Sequence, residues 1–175
     1  MTINEFDHLD KIKKRELLMQ CCGSAAWIDK MIKADWAEDL VDLEVIAEEK
    51  WWQCTKDDWE EAFTHHPKIG DINSLKKKFA NTSGLAANEQ AGVNTAADDV
   101  IVALAAGNDE YEQKFGFIFI VCATGKSAKE MLEILQSRLH NTIDDELEVA
   151  AGEQLKIMKI RLAKLFGIEQ NENQM

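Results

Sequence analysis

The first place where chemistry could concentrate is the dipeptide His66–Pro67. An imidazole titrates near neutral pH and can accept or release a proton. The proline disfavours helical geometry in the residue before it, so His66 is expected to stand at a helix end. Trp59, Ala62, Phe63 and His66 follow one another at three- and four-residue steps, which continues the apolar stripe to the histidine. Two readings stand on spacing alone. The first is a C-terminal histidine that suits the helix dipole and fills space; the second is a ring that meets a pocket. His65 falls off the stripe, four residues after Glu61, where a solvated helix pair is the expected arrangement.

Glu89 and Gln90 stand in a segment of Gly and Ala whose small side chains would let a ligand approach the backbone. The plain alternative is a solvated pair in the first turn of a helix. Arg161 borders an apolar stripe, four residues after Ile157 and four before Leu165. Such an arginine lays its stem on the core and reaches water, or it clamps a carboxylate at a pocket edge. The chain has no P-loop, no GxGxxG after a strand, no HExxH and no GxSxG. No metal site is expected, because a set such as His65, His66 and Asp71 includes consecutive helical residues that point apart.

The elements that must position these residues read as helices. One proline in 175 residues, with abundant Ala, Leu, Glu and Lys, favours long helices over a turn-rich β fold. Leu40, Leu43, Ala47, Trp51 and Cys54 form a stripe starting at Asp39, and Thr55 with Asp58 echoes a capping box. Residues 67–95 read as irregular, with turns at Gly70, Gly84 and Gly92. Thr95 is expected to cap a helix carrying Val100, Ile101, Leu104 and Ala105, ended by Gly107 and Asn108, with another starting at Asp109. Ser127 and Glu130 form a capping box before Met131, Leu132, Leu135 and Leu139. Leu147, Ala151, Leu155, Met158, Leu162 and Leu165 make a last stripe, stopped by Gly167. The run 114–125, KFGFIFIVCATG, has strand propensity but no partner strand, so a buried helix or an irregular segment is expected. The whole reads as an all-α, single-domain bundle of about seven to nine helices over residues 1–168, with a frayed tail at 169–175.

Composition bounds the function. A length of 175 residues suits one domain, since domains usually hold about 100–200 residues. Acidic residues exceed basic ones by 32 − 20 = 12, which disfavours nucleic acid and anionic membrane as partners. Lys76 to Lys78 read as a solvated helix face. Hydrophobic residues make up 46% of the chain, with five Trp and seven Phe, enough for a sizeable core. No apolar run reaches the roughly 18–20 residues of a membrane span. The N-terminal MTINEFDHLDKIKKRE lacks the order of a signal peptide and NENQM is no peroxisomal address, so a cytoplasmic protein is expected. Cys21, Cys22, Cys54 and Cys122 show no CxxC spacing and read as reduced core or near-core thiols.

The strings HHPKIGD, LAANEQAGV, YEQKFGFIFIVCATGKSAKEMLEILQSRLHN and AAGEQLKIMKIRLAKLF together resemble the OHCU decarboxylase family, the 2-oxo-4-hydroxy-4-carboxy-5-ureidoimidazoline decarboxylases of urate breakdown. The resemblance covers nearly the whole chain and is strongest from Trp59 to Phe166. The ordered combination of HPxIG, EQ, KFGFxF, RLxN and a late RL is far more specific than any piece. It implies an all-α fold, usually a homodimer without metal or organic cofactor, and it favours helix for residues 114–125. Carried over by position, the catalytic histidine is His66, its carboxylate is Glu89 and the late arginine is Arg161. Gln90 binds substrate, Pro67 lines the pocket, and the substrate-facing backbone is Phe119, Ile120, Val121, Cys122 and Ala123. Many members carry a serine where this chain has Ala86. A hydrogen bond to substrate is then absent, or comes from Thr82, Ser83 or Asn88. The implied reaction is decarboxylation to (S)-allantoin. Two other classes stay open: a helical interaction protein without activity, whose signature would be loss of His66, Glu89 or Arg161, and a lyase or hydrolase of a neighbouring ureide.

Overall fold

A computed structural model describes residues 1–36, 38–68, 71–79 and 90–167, without the side chains of 90–97. Nine helices and no strand occur among them: α1 (Ile3–Asp7), α2 (Lys11–Cys21), α3 (Ala25–Lys33), α4 (Leu40–Trp52), α5 (Lys56–Thr64), α6 (Ile72–Phe79), α7 (Gln90–Phe115), α8 (Ala128–Arg138) and α9 (Ile143–Leu165). The all-α expectation holds. No described helix is long and apolar enough to cross a membrane. The tail expected to fray lies outside the described residues.

Most helix starts follow from one side chain. Asp39 accepts from the N–H of Asp42 at 2.9 Å, and Thr55 and Ser127 close the expected capping boxes with Asp58 and Glu130. Each cap satisfies an N–H that the helix cannot pair internally, typically worth about 1 kcal/mol. At the other end of α9, Gly167 turns left-handed with φ +67°, a conformation that glycine adopts without a Cβ penalty.

The helices form two compact units, Met1–His66 with Ala151–Met175, and Pro67–Ala150. In the first, Phe6, Leu18, Trp27, Ile28, Met31, Leu43, Ala47, Trp51, Met158 and Leu162 are fully buried. Three buried indoles find carbonyl acceptors: Trp27 donates to Ala47, Trp51 to Ala151 and Trp59 to Trp51, at 3.0–3.1 Å. An unpaired indole N–H in this core would cost much of what its ring burial contributes. Phe6 meets Phe166 edge-on at 5.7 Å, tying α1 to the end of α9.

In the second unit, Leu75, Ile101, Leu104, Ala105, Met131 and Leu135 make the core, with Phe79, Phe119, Val121 and Leu139 packed around it. Three expectations fail here. Residues 72–79 are helical rather than irregular; Asp71 caps them by accepting from the N–H of Ser74 at 2.8 Å. Lys76 to Lys78 lie on the exposed side of that helix, as expected. The helix expected from Thr95 to Gly107 and the one from Asp109 are a single helix, α7, which also runs through Gly92. Gly107 does not end it. A Cβ at Gly107 would stand 2.6 Å from Leu135 Cδ2, so the glycine is there for the close approach of α8. Finally, residues 116–127 carry no regular structure, which overturns the helical expectation for 114–125 and keeps the irregular one. Gly116 stops α7 with φ +81°, its N–H donating to Glu112 O at 2.9 Å.

Gly107→Val is expected to destabilise the protein by about 1–3 kcal/mol, because Leu135 is fully buried and cannot swing aside. The better helix propensity of valine offsets only a few tenths of this. Urea unfolding at an unchanged m-value measures it; a stabilised variant would refute the close-packing role.

Candidate active site

His66 stands just past the end of α5. Its N–H donates to Phe63 O at 3.2 Å, closing the last turn, while Trp59, Ala62 and Phe63 are buried as the stripe required. The two histidines part company. The His65 side chain is exposed and its ring lies over Gly23, where a Cβ would come within 2.4 Å of it. Glu61, the partner expected for His65, accepts instead from the N–H of Ala25 at 3.3 Å. The His66 ring is half-buried, and its Nε2 is hydrogen-bonded to Oε1 of Gln154 on α9.

Arg161 lies on the same face of α9, seven residues or two turns after Gln154. Burial holds His66 below the usual histidine range, and the charges of Arg161 and His65 push the same way; the Gln154 hydrogen bond opposes them. The ring is therefore harder to protonate than a free imidazole. Arg161 also acts on Cys21 and Cys22, whose thiols burial pushes up to about 12. These cysteines stay protonated and are no nucleophiles at neutral pH. All four cysteines are buried thiols outside any disulfide, as the sequence suggested.

The expected substrate-facing backbone, Phe119 to Ala123, belongs to the irregular segment of the second unit. It is held from beneath by Arg138. That guanidinium donates to Ile120 O at 2.7 Å, to Glu146 Oε1 at 2.6 Å and to the Tyr111 hydroxyl at 3.3 Å. Tyr111 donates in turn to Glu146, and Asn141 donates to the other carboxylate oxygen at 2.8 Å. Burial raises the Tyr111 phenol well above its usual value, so it remains a donor. Arg138 also lies over the Phe119 ring at 4.7 Å. Lys126 Nζ donates to Cys122 O at 2.8 Å, and its N–H to Ala123 O at 3.1 Å. Side chains thus give this segment the partners that a helix or a sheet would have supplied.

The first unit brings His66, Gln154 and Arg161 together. Pro67 is exposed and opens the second unit. Glu89 and Ala86 lie outside the described residues, as do Thr82, Ser83 and Asn88; Gln90 begins α7, with its side chain outside the description. No group of three or more metal-ligating side chains occurs among the described residues. Sequence reasoning missed Gln154, Tyr111, Arg138 and Glu146. Gln154 carried a signal as a polar residue on the apolar stripe of Ala151, Leu155 and Met158, and Tyr111 and Arg138 stood in the strings that carry the resemblance without being given a role.

The model of the OHCU decarboxylase family matches residues 7–163. The uric acid degradation bifunctional protein TTL of Arabidopsis thaliana is 39% identical over 151 residues, 83% of this chain and 45% of that protein. The 2-oxo-4-hydroxy-4-carboxy-5-ureidoimidazoline decarboxylase of Xenopus laevis is 37% identical over 59 residues, 34% of each. The chain spans less than half the length of these curated relatives. A crystal structure of OHCU decarboxylase in the presence of (S)-allantoin is 35% identical with a TM-score of 0.68, covering 87% of this chain and 97% of that one. A structure of (S)-allantoin synthase, 18% identical with a TM-score of 0.70, covers 94% and 54% and shares the fold.

Proposed function

The chain belongs to the OHCU decarboxylase family, and from that premise we propose that it converts 2-oxo-4-hydroxy-4-carboxy-5-ureidoimidazoline to (S)-allantoin. The observation that carries the reading is the setting of His66: a half-buried ring, held at one nitrogen by Gln154 on the helix that also carries Arg161. That is what a reaction made of proton movements next to a carboxylate asks for.

In the substrate one ring carbon bears both the carboxylate and a hydroxyl, and its neighbour bears the ureido group and a double bond to ring nitrogen. When the bond to carbon dioxide breaks, its electron pair forms a carbon–carbon double bond with that neighbour, the electrons of the carbon–nitrogen double bond move to the ring nitrogen, and that nitrogen takes up a proton from solvent. The hydroxyl then loses its proton and becomes a carbonyl, while the ureido-bearing carbon gains one. The molecule is its own electron sink, so the tasks left to the protein are placement and proton traffic.

Neutral His66 takes the hydroxyl proton, and the resulting imidazolium returns a proton to the ureido-bearing carbon from one side, which fixes the S configuration. Arg161 clamps the carboxylate with its planar pair of donors. Glu89 and Gln90 hold the ureido and ring nitrogens, Pro67 and Ala86 line the pocket, and backbone N–H groups among residues 119–123 bind the ring oxygens. On this reading residues 1–168 act as one domain without metal or organic cofactor, in a cytoplasmic homodimer with neither nucleic acid nor membrane as partner.

The test generates the substrate in situ from urate and follows the optical rotation of the allantoin formed. A large excess of the S enantiomer is expected, against a racemic product without the protein. Faster substrate loss with racemic allantoin, or no effect on rate or rotation, would overturn the reading.

A further inference from the structure

Gln154 is fully buried in the middle of α9, at a position where the stripe of Ala151, Leu155 and Met158 would accept a leucine. Burying a carboxamide is costly unless it is hydrogen-bonded. Here the amide is satisfied on one side only: Oε1 meets His66 Nε2, while the amide nitrogen has no partner among the described residues. Among the described residues the side chain belongs to no wider polar network, and its oxygen is turned to His66.

The geometry has a consequence for the ring. A carbonyl oxygen can only accept, so the imidazole nitrogen facing it must carry a proton. In a neutral imidazole the other nitrogen, Nδ1, is then bare. We propose that Gln154 is a positioning residue that holds His66 as the Nε2–H tautomer, leaving Nδ1 as the nitrogen that takes up and returns the substrate proton. The same contact persists when Nδ1 is protonated, so the proton cycles without rearrangement of the ring. Among the described residues, the Arg161 guanidinium and His65 oppose the imidazolium, and the Gln154 oxygen supports it. The proposal rests on the reading that His66 moves protons, but its first test does not.

That test is nitrogen-15 NMR of protein labelled at histidine, with His66→Gln identifying which signals belong to His66. Above the midpoint of its titration, His66 is expected to show a pyridine-like Nδ1 and a pyrrole-like Nε2. Gln154→Leu should give a mixture of tautomers. It should also lower kcat roughly tenfold or more with KM little changed, as loss of a partner that orients a histidine does. Gln154→Glu should keep the tautomer and raise the His66 midpoint by about one pH unit or more, moving the acid limb of kcat/KM with it. A wild-type ring protonated on Nδ1 would overturn the proposal. So would a Gln154→Leu variant with lowered melting temperature but an unchanged tautomer and pH profile, since the glutamine would then be structural. Full activity in His66→Gln would remove the catalytic reading yet leave the tautomer result standing, so the two failures are distinguishable.

Discussion

His66→Gln should lower kcat by about a hundred- to ten-thousandfold, the usual contribution of a general acid–base, while KM changes little. His65→Ala should stay within a few-fold of the parent. The contrast follows from placement: His66 is half-buried against Gln154 in the field of Arg161, whereas the His65 side chain is exposed over Gly23. The pH profile gives the sign. If the neutral ring is the working base, kcat/KM falls as pH drops through the His66 value. Burial and Arg161 hold that value below the usual histidine range, so activity should persist to lower pH than an ordinary histidine would allow. The residual activity of His66→Gln should lack this acid limb. Folding is linked in the same direction: a ring harder to protonate when folded contributes stability above its unfolded pKa that is lost as pH falls through its lowered folded value. Equal losses in the His65 and His66 variants, with unchanged circular dichroism, would remove the assignment.

The parts of the fold that local chemistry determines were legible before any coordinates. Thr55 with Asp58 and Ser127 with Glu130 are recognisable because a cap is settled within four residues. The stripes of α4 and α9 are recognisable because burial repeats with the helix period. Gly107 was misread because a glycine that admits a neighbouring helix and one that ends its own helix look alike. The difference is Leu135, on another element. The segment after α7 was drawn toward helix for the complementary reason: Gly116 ends α7, and the partners that let the following backbone stay irregular are side chains of Arg138 and Lys126.

The candidate site divides in the same way. His66 was singled out as a candidate by the proline after it and Arg161 by its place beside a stripe, and only the family resemblance gave either an expected role. Gln154 required asking why an amide interrupts that stripe. Glu146 could not have been singled out. It follows Asp144 and Asp145 in one acidic first turn, where all three suit the helix dipole, yet those two are exposed and Glu146 is fully buried. Its partners Arg138, Tyr111 and Asn141, all outside α9, make the distinction.

Arg138→Met is therefore expected to be the most damaging single change to stability, at about 3–5 kcal/mol. Arg138 is 6% exposed and Glu146 0%, so the variant leaves a buried carboxylate without its cation and Ile120 O without its donor. Against a total stability of about 5–15 kcal/mol for an ordinary domain, the loss would bring the protein near its unfolding midpoint well below its normal melting temperature. Arg138→Lys should recover only part of it, because an ammonium cannot reach Ile120, Glu146 and Tyr111 at once with fixed planar donors. The double variant Arg138→Met with Glu146→Leu should be more stable than Arg138→Met alone, since removing both charges also removes the unpaired one. Urea unfolding of the parent, Arg138→Met, Glu146→Leu and the double variant, read as a double-mutant cycle, measures the coupling. If Arg138→Met unfolded at the parental midpoint, or the second substitution only added to the loss, this buried pair would not be what anchors the backbone at residues 119–123.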